Sequence, residues 1–103
     1  MAKFLFVYHG GSKPDAPEEG AEVTAKWRAW FETLGAAVVD GGNPVGESTT
    51  VFADRVVGDG GANPASGYSL IAASDMNDAV AKAKGCPLLE AGGSVEIAEA
   101  MEM

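Results

Sequence analysis

His9, the single histidine of the chain, ends an apolar run and stands directly before Gly10-Gly11. An imidazole with a pKa near 6.5 can act as a general base at neutral pH, and paired glycines let a ligand approach the backbone closely. Asp40 ends a second apolar run in the same way, again before two glycines. If the two runs form neighbouring strands, Asp40 could orient the His9 ring. The pair therefore predicts acid-base catalysis.

Both residues also have a purely structural explanation. A ring nitrogen of His9 could bond to a loop carbonyl and close the end of its strand. Asp40 could accept a hydrogen bond from its own backbone two residues later, as aspartate does in Asx turns. At the level of the sequence both alternatives stay open.

Four aromatic side chains are candidate walls of a ligand pocket: Tyr8, Trp27, Trp30 and Tyr68. Indole rings can stack on a flat ligand, and a phenol can offer it a hydrogen bond. Tryptophan at helical spacing also serves as core, where it buries a large area and its N–H finds a partner. The aromatic residues thus predict either a pocket for a small, partly apolar molecule or a packed interior.

No metal, cofactor or phosphate site is predicted. The chain has one histidine, one cysteine and no pair of carboxylates at ligand spacing. Gly10-Gly11 lacks the Lys-Ser or Lys-Thr ending of a phosphate loop. Cys86 follows a predicted helix end, whose negative pole disfavours a thiolate, so we expect it to be a small buried apolar group.

The charge balance limits the partners. Fifteen acidic and seven basic residues give a net charge of −8, which repels nucleic acid and anionic lipid. No apolar stretch approaches the roughly 20 residues that span a membrane, and a single cysteine suits a reducing compartment. We therefore expect a cytoplasmic protein with neither a nucleic acid nor a membrane partner, folded as a single domain over residues 1–103.

Hydrophobic periodicity predicts strands over residues 3–9, 36–40, 68–73 and from 95, with a further β-rich segment over 49–57. The first helix follows an acidic cap at Asp15 and ends at Gly35. Its apolar stripe comprises Val23, Trp27, Trp30 or Phe31, and Leu34. The second helix is capped by Ser74 or Asp75, and its predicted buried stripe comprises Met76, Ala79, Val80 and Ala83.

Strand, helix and strand, used twice, predict an α+β fold: a ferredoxin-like βαββαβ sandwich with an antiparallel sheet. Two helices can cover only one face of that sheet. The strand over residues 3–9 is apolar on both faces, so its second face needs another cover. A second copy of the chain is the simplest cover, and we expect a homodimer.

Three stretches occur in a distinctive order: KFLFVYHGG, then KWRAWFETLG running into AAVVDGGNPV, then GYSLIAASDMNDAVAKAKGCPLLEAGGSVEI. Together they resemble the YCII-related, or DGPF-domain, family of the dimeric α/β-barrel superfamily. The last stretch is the most specific of the three. The resemblance implies a ferredoxin-like subunit that pairs through its sheet into a barrel. It also implies a pocket at the dimer centre or between helix and sheet.

Some relatives in that family look like lyases or dehydrochlorinases of small ring compounds, with a first-helix His and a nearby strand Asp as the acid-base pair. The matching positions here are Trp27 and Asp40, and Asp59-Gly60 is followed by Gly61 where the family signature has Pro-Phe. The resemblance therefore implies a dimeric α/β-barrel protein that binds a small, partly apolar molecule in a pocket near the dimer interface. The alternative is a lyase or dehydrochlorinase-like enzyme that uses His9 with Asp40.

Overall fold

The structure, a computed structural model, describes residues 1–11 and 17–102. The strands are β1 (Ala2–His9), β2 (Val38–Pro44), β3 (Thr50–Val51), β4 (Val56–Val57), β5 (Ala65–Ala73) and β6 (Ser94–Ala100). The helices are α1 (Pro17–Leu34) and α2 (Met76–Ala83), with short 3-10 turns at Gly35–Ala37 and Pro87–Leu89. Neither α1 nor α2 is long and apolar enough to cross a membrane.

The main sheet has the strand order β2-β5-β1-β6 with every neighbouring pair antiparallel. This is the order of a ferredoxin-like sandwich, and it confirms the predicted fold class. The two central strands are β1 and β5, so the aromatic β1 segment lies in the middle of the sheet, as its apolar faces predict.

One face of the sheet packs on the helices. Phe4 and Phe6 of β1 and Ile71 of β5 are fully buried there, and Trp30 of α1 is 6% exposed. Alternate residues of a strand point to opposite faces, so the other face carries Leu5, Val7 and His9 of β1 with Tyr68, Leu70 and Ala72 of β5. We call this second face the open face.

The helix ends follow their sequence signals. Gly35 has a φ of 57°, a left-handed conformation that ends α1 where predicted. Asp75 caps α2, because its Oδ1 accepts a hydrogen bond of 2.8 Å from the backbone N–H of Asp78. The predicted cap at Asp15 lies outside the described residues.

The apolar stripes are narrower than predicted. Ala79 and Ala83 of α2 are buried, but Met76 is 42% and Val80 39% exposed. The helix is short and contacts the sheet through Ala79 and Ala83. Met76 and Val80, on the neighbouring part of the helix surface, therefore lie at the edge of this contact. Val23 of α1 is 39% exposed for a different reason, because it faces a cavity described below.

One predicted turn differs from the structure, and the inserted β-rich segment forms strands as predicted. The Gly-Gly-Asn-Pro segment over residues 41–44 belongs to β2, where register shifts flank Asp40 and accommodate the extra residues as bulges. The β-rich segment over residues 49–57 forms the separate hairpin β3–β4, outside the main sheet. Its turn is closed by the Phe52 N–H, which donates to the Arg55 carbonyl at 2.7 Å.

Candidate functional site

A cavity of about 590 Å³ lies between α1 and the ends of β1, β2 and β5. We call it the cleft. The described residues that line it are mostly apolar or glycine, and they comprise Tyr8, Gly10, Gly11, Val23, Thr24, Trp27, Phe31, Gly41, Gly42, Asn43, Pro44, Val45, Ser66, Gly67 and Leu88. A side hollow of about 470 Å³ shares Thr24, Trp27 and Phe31 with the cleft and extends to Arg28, Glu32 and Val38.

The wall of the cleft is aromatic. Trp27 meets Tyr8 edge to face with 5.0 Å between ring centroids and lies 6.0 Å from Phe31. Trp27 is half-buried, and its indole N–H has no partner among the described residues. Because no buried polar side-chain atom among those residues lacks a partner, this N–H is accessible to solvent. Trp30 lies behind this wall, and its N–H donates to the Lys82 carbonyl at 3.0 Å. Of the two predicted pocket tryptophans, Trp27 therefore lines the cleft and Trp30 belongs to the core.

The Tyr8 hydroxyl is held by a short chain of hydrogen bonds. It donates to Ser69 Oγ at 2.7 Å, and Ser69 Oγ donates to the Gly41 carbonyl at 2.7 Å. Burial raises the pKa of Tyr8 far above its ordinary value of 10, so the phenol keeps its proton at neutral pH. Tyr8 is the one titratable side chain among the described residues that line the cleft, which therefore suits binding more than proton transfer.

Glycine forms the opposite wall because the backbones approach closely there. Gly42 has a φ of 72°, and a Cβ at this position would overlap the carbonyl oxygen of Tyr68. Gly11 has a φ of 91°, and a Cβ there would overlap the Leu88 side chain. These two positions need glycine both for conformation and for space.

His9 lies on the open face and makes two hydrogen bonds. Its Nε2 is 2.8 Å from Glu96 Oε1, and its Nδ1 is 3.2 Å from the Pro64 carbonyl oxygen. A carbonyl and an ionised carboxylate can only accept, so both contacts are satisfied when both ring nitrogens carry hydrogen. The hydrogen bond to Glu96 raises the pKa of His9 accordingly. Of the two explanations that the sequence left open, the bond to a loop carbonyl is formed, and the catalytic role stays a prediction.

Asp40 does not meet His9 in this chain. Strand β5 lies between β1 and β2, and Asp40 is opposite Leu70, which is opposite Leu5 of β1. Asp40 and His9 are therefore two strand spacings apart across the sheet, about 9.5 Å. They are also four residues apart along the strand direction, about 13 Å. The β-α-β rule puts β1 and β2 in one sheet but leaves room for a strand between them, and this is why the pairing we expected is not formed.

Asp40 instead makes the turn contact that was its alternative. Its Oδ1 accepts a hydrogen bond of 2.8 Å from the backbone N–H of Gly42. Tyr68, the remaining predicted pocket residue, pairs with Val7 and so lies on the open face, away from the cleft. Its hydroxyl accepts a long hydrogen bond of 3.4 Å from Asn43 Nδ2.

The remaining nucleophile is shielded. Cys86 is 2% exposed, and burial raises its pKa to about 11. The thiol is therefore protonated at neutral pH, in agreement with its predicted packing role. Among residues 1–11 and 17–102, no three His, Cys, Asp or Glu side chains group as metal ligands.

Several lining residues were not predicted from the sequence. The sequence predicts that Phe31 or Trp30 belongs to the core stripe and that residues 43–44 form a turn. Thr24 carried no signal beyond its helix position, three residues before Trp27 on the same face. That spacing was the one clue that could have added Thr24 to the pocket.

Comparisons with known proteins bear on the fold. No family model matches the chain, and neither does any curated protein. A solved structure does match: 5-chloro-2-hydroxyhydroquinone dehydrochlorinase from Burkholderia phenoliruptrix, in complex with 2,5-dihydroxybenzoquinone. The two chains share 16% identity with a TM-score of 0.56, over 96% of this chain and 95% of the other. This likeness shows the fold, in agreement with the strand order above.

Proposed function

We propose that the protein binds a small, flat, partly apolar molecule in the cleft. The observation that carries this proposal is the Trp27 ring, which is half-buried in the cleft wall and has no partner for its N–H among the described residues. A core tryptophan normally satisfies that donor, as Trp30 does. Trp27 thus offers a ligand both an aromatic edge and a hydrogen bond.

The dimensions and order of the cleft support the same proposal. Its volume of about 590 Å³ falls in the range of small-molecule sites, roughly 300 to 1,000 Å³. The chain from Tyr8 through Ser69 to the Gly41 carbonyl ties β1 to β2 across β5. The two strand walls are therefore fixed before a ligand arrives, which lowers the entropic cost of binding.

The two indole N–H groups allow a direct test by NMR. A neutral ring compound such as catechol, titrated into the ¹⁵N-labelled protein, should shift the Trp27 indole signal progressively. The Trp30 signal should move little, because its N–H is already bonded to Lys82. Trp27→Phe removes one of the two indole signals and so assigns both.

Binding away from the cleft gives a different result. If catechol left the Trp27 indole unmoved up to millimolar concentrations while shifting amides elsewhere, the cleft would not be the binding site. Trp27→Phe should weaken catechol binding severalfold because the ligand loses a hydrogen bond, worth about 1 kcal/mol. Val51→Ala on the β3–β4 hairpin, 73% exposed and outside the cleft, serves as the control.

The functional unit in this proposal is a homodimer formed through the open face. Leu5 at the centre of that face is 38% exposed and Val39 of β2 is 46% exposed, although both belong to the main sheet. Burying such apolar area against a second copy is favourable at about 25 cal/mol per Å². Sedimentation at micromolar concentration should therefore give twice the mass of one chain, and Leu5→Lys should give a single-chain mass without unfolding. A wild-type protein that sediments as one chain would exclude this assembly.

A second candidate function is a lyase or dehydrochlorinase-like activity, favoured by the structural likeness to a dehydrochlorinase. The sequence assigns His9 and Asp40 to that reaction. Because neither lines the cleft, an enzyme that used them would need its site on the open face. Chloride release from 5-chloro-2-hydroxyhydroquinone, compared in wild type, His9→Gln and Trp27→Phe, separates the candidates. Loss of chloride release in His9→Gln but not in Trp27→Phe would support an active site on the open face. If the wild type releases no chloride, the enzyme candidate is excluded and the binding function is the one that stays.

A further inference from the structure

The side hollow next to the cleft contains an unpaired cation. Arg28 of α1 lines it and forms no ion pair or hydrogen bond with the described residues. Three other basic side chains in the described part of the chain are paired: Lys26 with Glu90 at 3.0 Å, Arg55 with Asp54 at 3.1 Å and Lys82 with Asp78 at 2.8 Å. Lys3 and Lys84 form no ion pair with the described residues either, but neither lines the cleft or the side hollow. Arg28 is therefore the unpaired cation of the described residues that borders the aromatic rings Trp27 and Phe31.

The spacing along α1 places Arg28 with the rest of the binding wall. Trp27 and Arg28 lie three and four residues after Thr24, and Phe31 lies four residues after Trp27 and three after Arg28, so the four side chains share one face of the helix. Thr24, Trp27 and Phe31 line both the cleft and the side hollow, so the two spaces are adjacent along these side chains. The Thr24 hydroxyl, like Arg28, has no hydrogen-bond partner among the described residues. A ring that rests on Trp27 can therefore carry a polar substituent toward Arg28.

We propose that the ligand of the cleft is an aromatic carboxylate, with its ring against Trp27 and Phe31 and its carboxylate bonded to Arg28. This inference rests on the proposed binding function and names its ligand class. The guanidinium presents a planar fork of donors that matches the two oxygens of a carboxylate. A neutral ring compound would use the aromatic wall and leave this cation unused.

Glu32 is the charge that opposes such a ligand. It lines the same hollow one helical turn after Arg28 and forms no ion pair with it. The net charge of −8 also repels an anion, but charges beyond about 10 Å are largely screened at 0.1 M salt. The charges nearest the ligand therefore determine its affinity. Arg28 attracts a bound carboxylate, and Glu32 repels it.

Isothermal titration with benzoate and benzyl alcohol, which share a ring and differ in charge, tests the proposal. Wild type should bind benzoate more tightly. Arg28→Gln should weaken benzoate binding about 3- to 10-fold, because it removes a partly exposed charged contact. Glu32→Gln should tighten it by up to about threefold. Neither change should alter benzyl alcohol binding. Lys84→Gln removes an exposed positive charge that lines neither space and should leave both ligands unaffected.

The outcomes separate this inference from the binding function beneath it. The proposed ligand class is wrong if benzyl alcohol shifts the Trp27 indole signal and benzoate binds no more tightly. It is also wrong if Arg28→Gln leaves benzoate affinity unchanged. In both cases the cleft remains a binding site. If neither ring compound shifts the Trp27 indole, the binding function fails, and the inference fails with it. Equal losses in Arg28→Gln and Lys84→Gln would mean a general charge effect and would also overturn the Arg28 contact.

Discussion

Gly42→Ala should lower the free energy of unfolding by about 3 kcal/mol, a large share of the stability of a domain this small. The residue has a φ of 72°, where a Cβ costs roughly 1 to 2 kcal/mol. In addition, that Cβ would overlap the carbonyl oxygen of Tyr68 on the neighbouring strand. A backbone oxygen cannot rotate away, so β2 must move from β5, and overpacking of this kind adds about 1 to 3 kcal/mol.

The neighbouring glycine is a matched control for this substitution. At Gly41 a new Cβ would meet nothing within 4 Å, and its φ lies outside the left-handed region. Gly41→Ala should therefore change stability by less than about 0.5 kcal/mol, as an exposed substitution does. Urea unfolding followed by circular dichroism measures both variants. Similar midpoints for the two variants would mean that the close approach of β2 to Tyr68 does not exist in solution.

The same substitution bears on the cleft, because β2 supplies one of its walls. Moving β2 away from β5 breaks the contact between Ser69 Oγ and the Gly41 carbonyl, which fixes that wall. If Gly42→Ala still folds, we expect weaker catechol binding with Trp27 unchanged. The effect would then come from the shape of the cleft, since no ligand contact has been removed.

The ferredoxin-like sandwich can be predicted from the sequence because the strongest signals in the sequence are periodic. The alternation of Phe4, Phe6 and Tyr8 specifies the strand face on the helices, and Asp75 and Gly35 mark helix ends by local chemistry alone. These features depend on residues close together in the chain. The strand order then follows from the short list of topologies that two β-α-β units allow.

The site was harder to predict because it depends on which strands are neighbours and on which side a residue faces. His9 and Asp40 have the same sequence context, a strand end before two glycines, and yet β5 separates them. The bulges that carry residues 41–44 through β2 cannot be distinguished from a turn by composition, since both favour Gly and Asn. Trp27 and Trp30 are three residues apart, and only packing shows which of them borders a cavity.

The ion pair of His9 should make stability depend on pH in a specific direction. Its pKa is raised in the folded protein, chiefly by the hydrogen bond to Glu96, so the contribution of the pair is fully present below the unfolded pKa of about 6.5. The contribution is lost as the pH rises through the raised value, because a neutral ring has one N–H for two acceptors, Glu96 and the Pro64 carbonyl.

The difference in unfolding free energy between wild type and His9→Gln isolates this group, since the other ionisable groups cancel. We expect about 1 to 2 kcal/mol at pH 6, modest because the Glu96 side chain is 64% exposed, and a smaller difference at pH 9. Glu96→Gln keeps an acceptor but removes the charge, so the pH dependence of the difference should flatten in that background. A difference that grows with pH would mean that the native ring is neutral. In that case His9 would regain the lone pair that a general base requires.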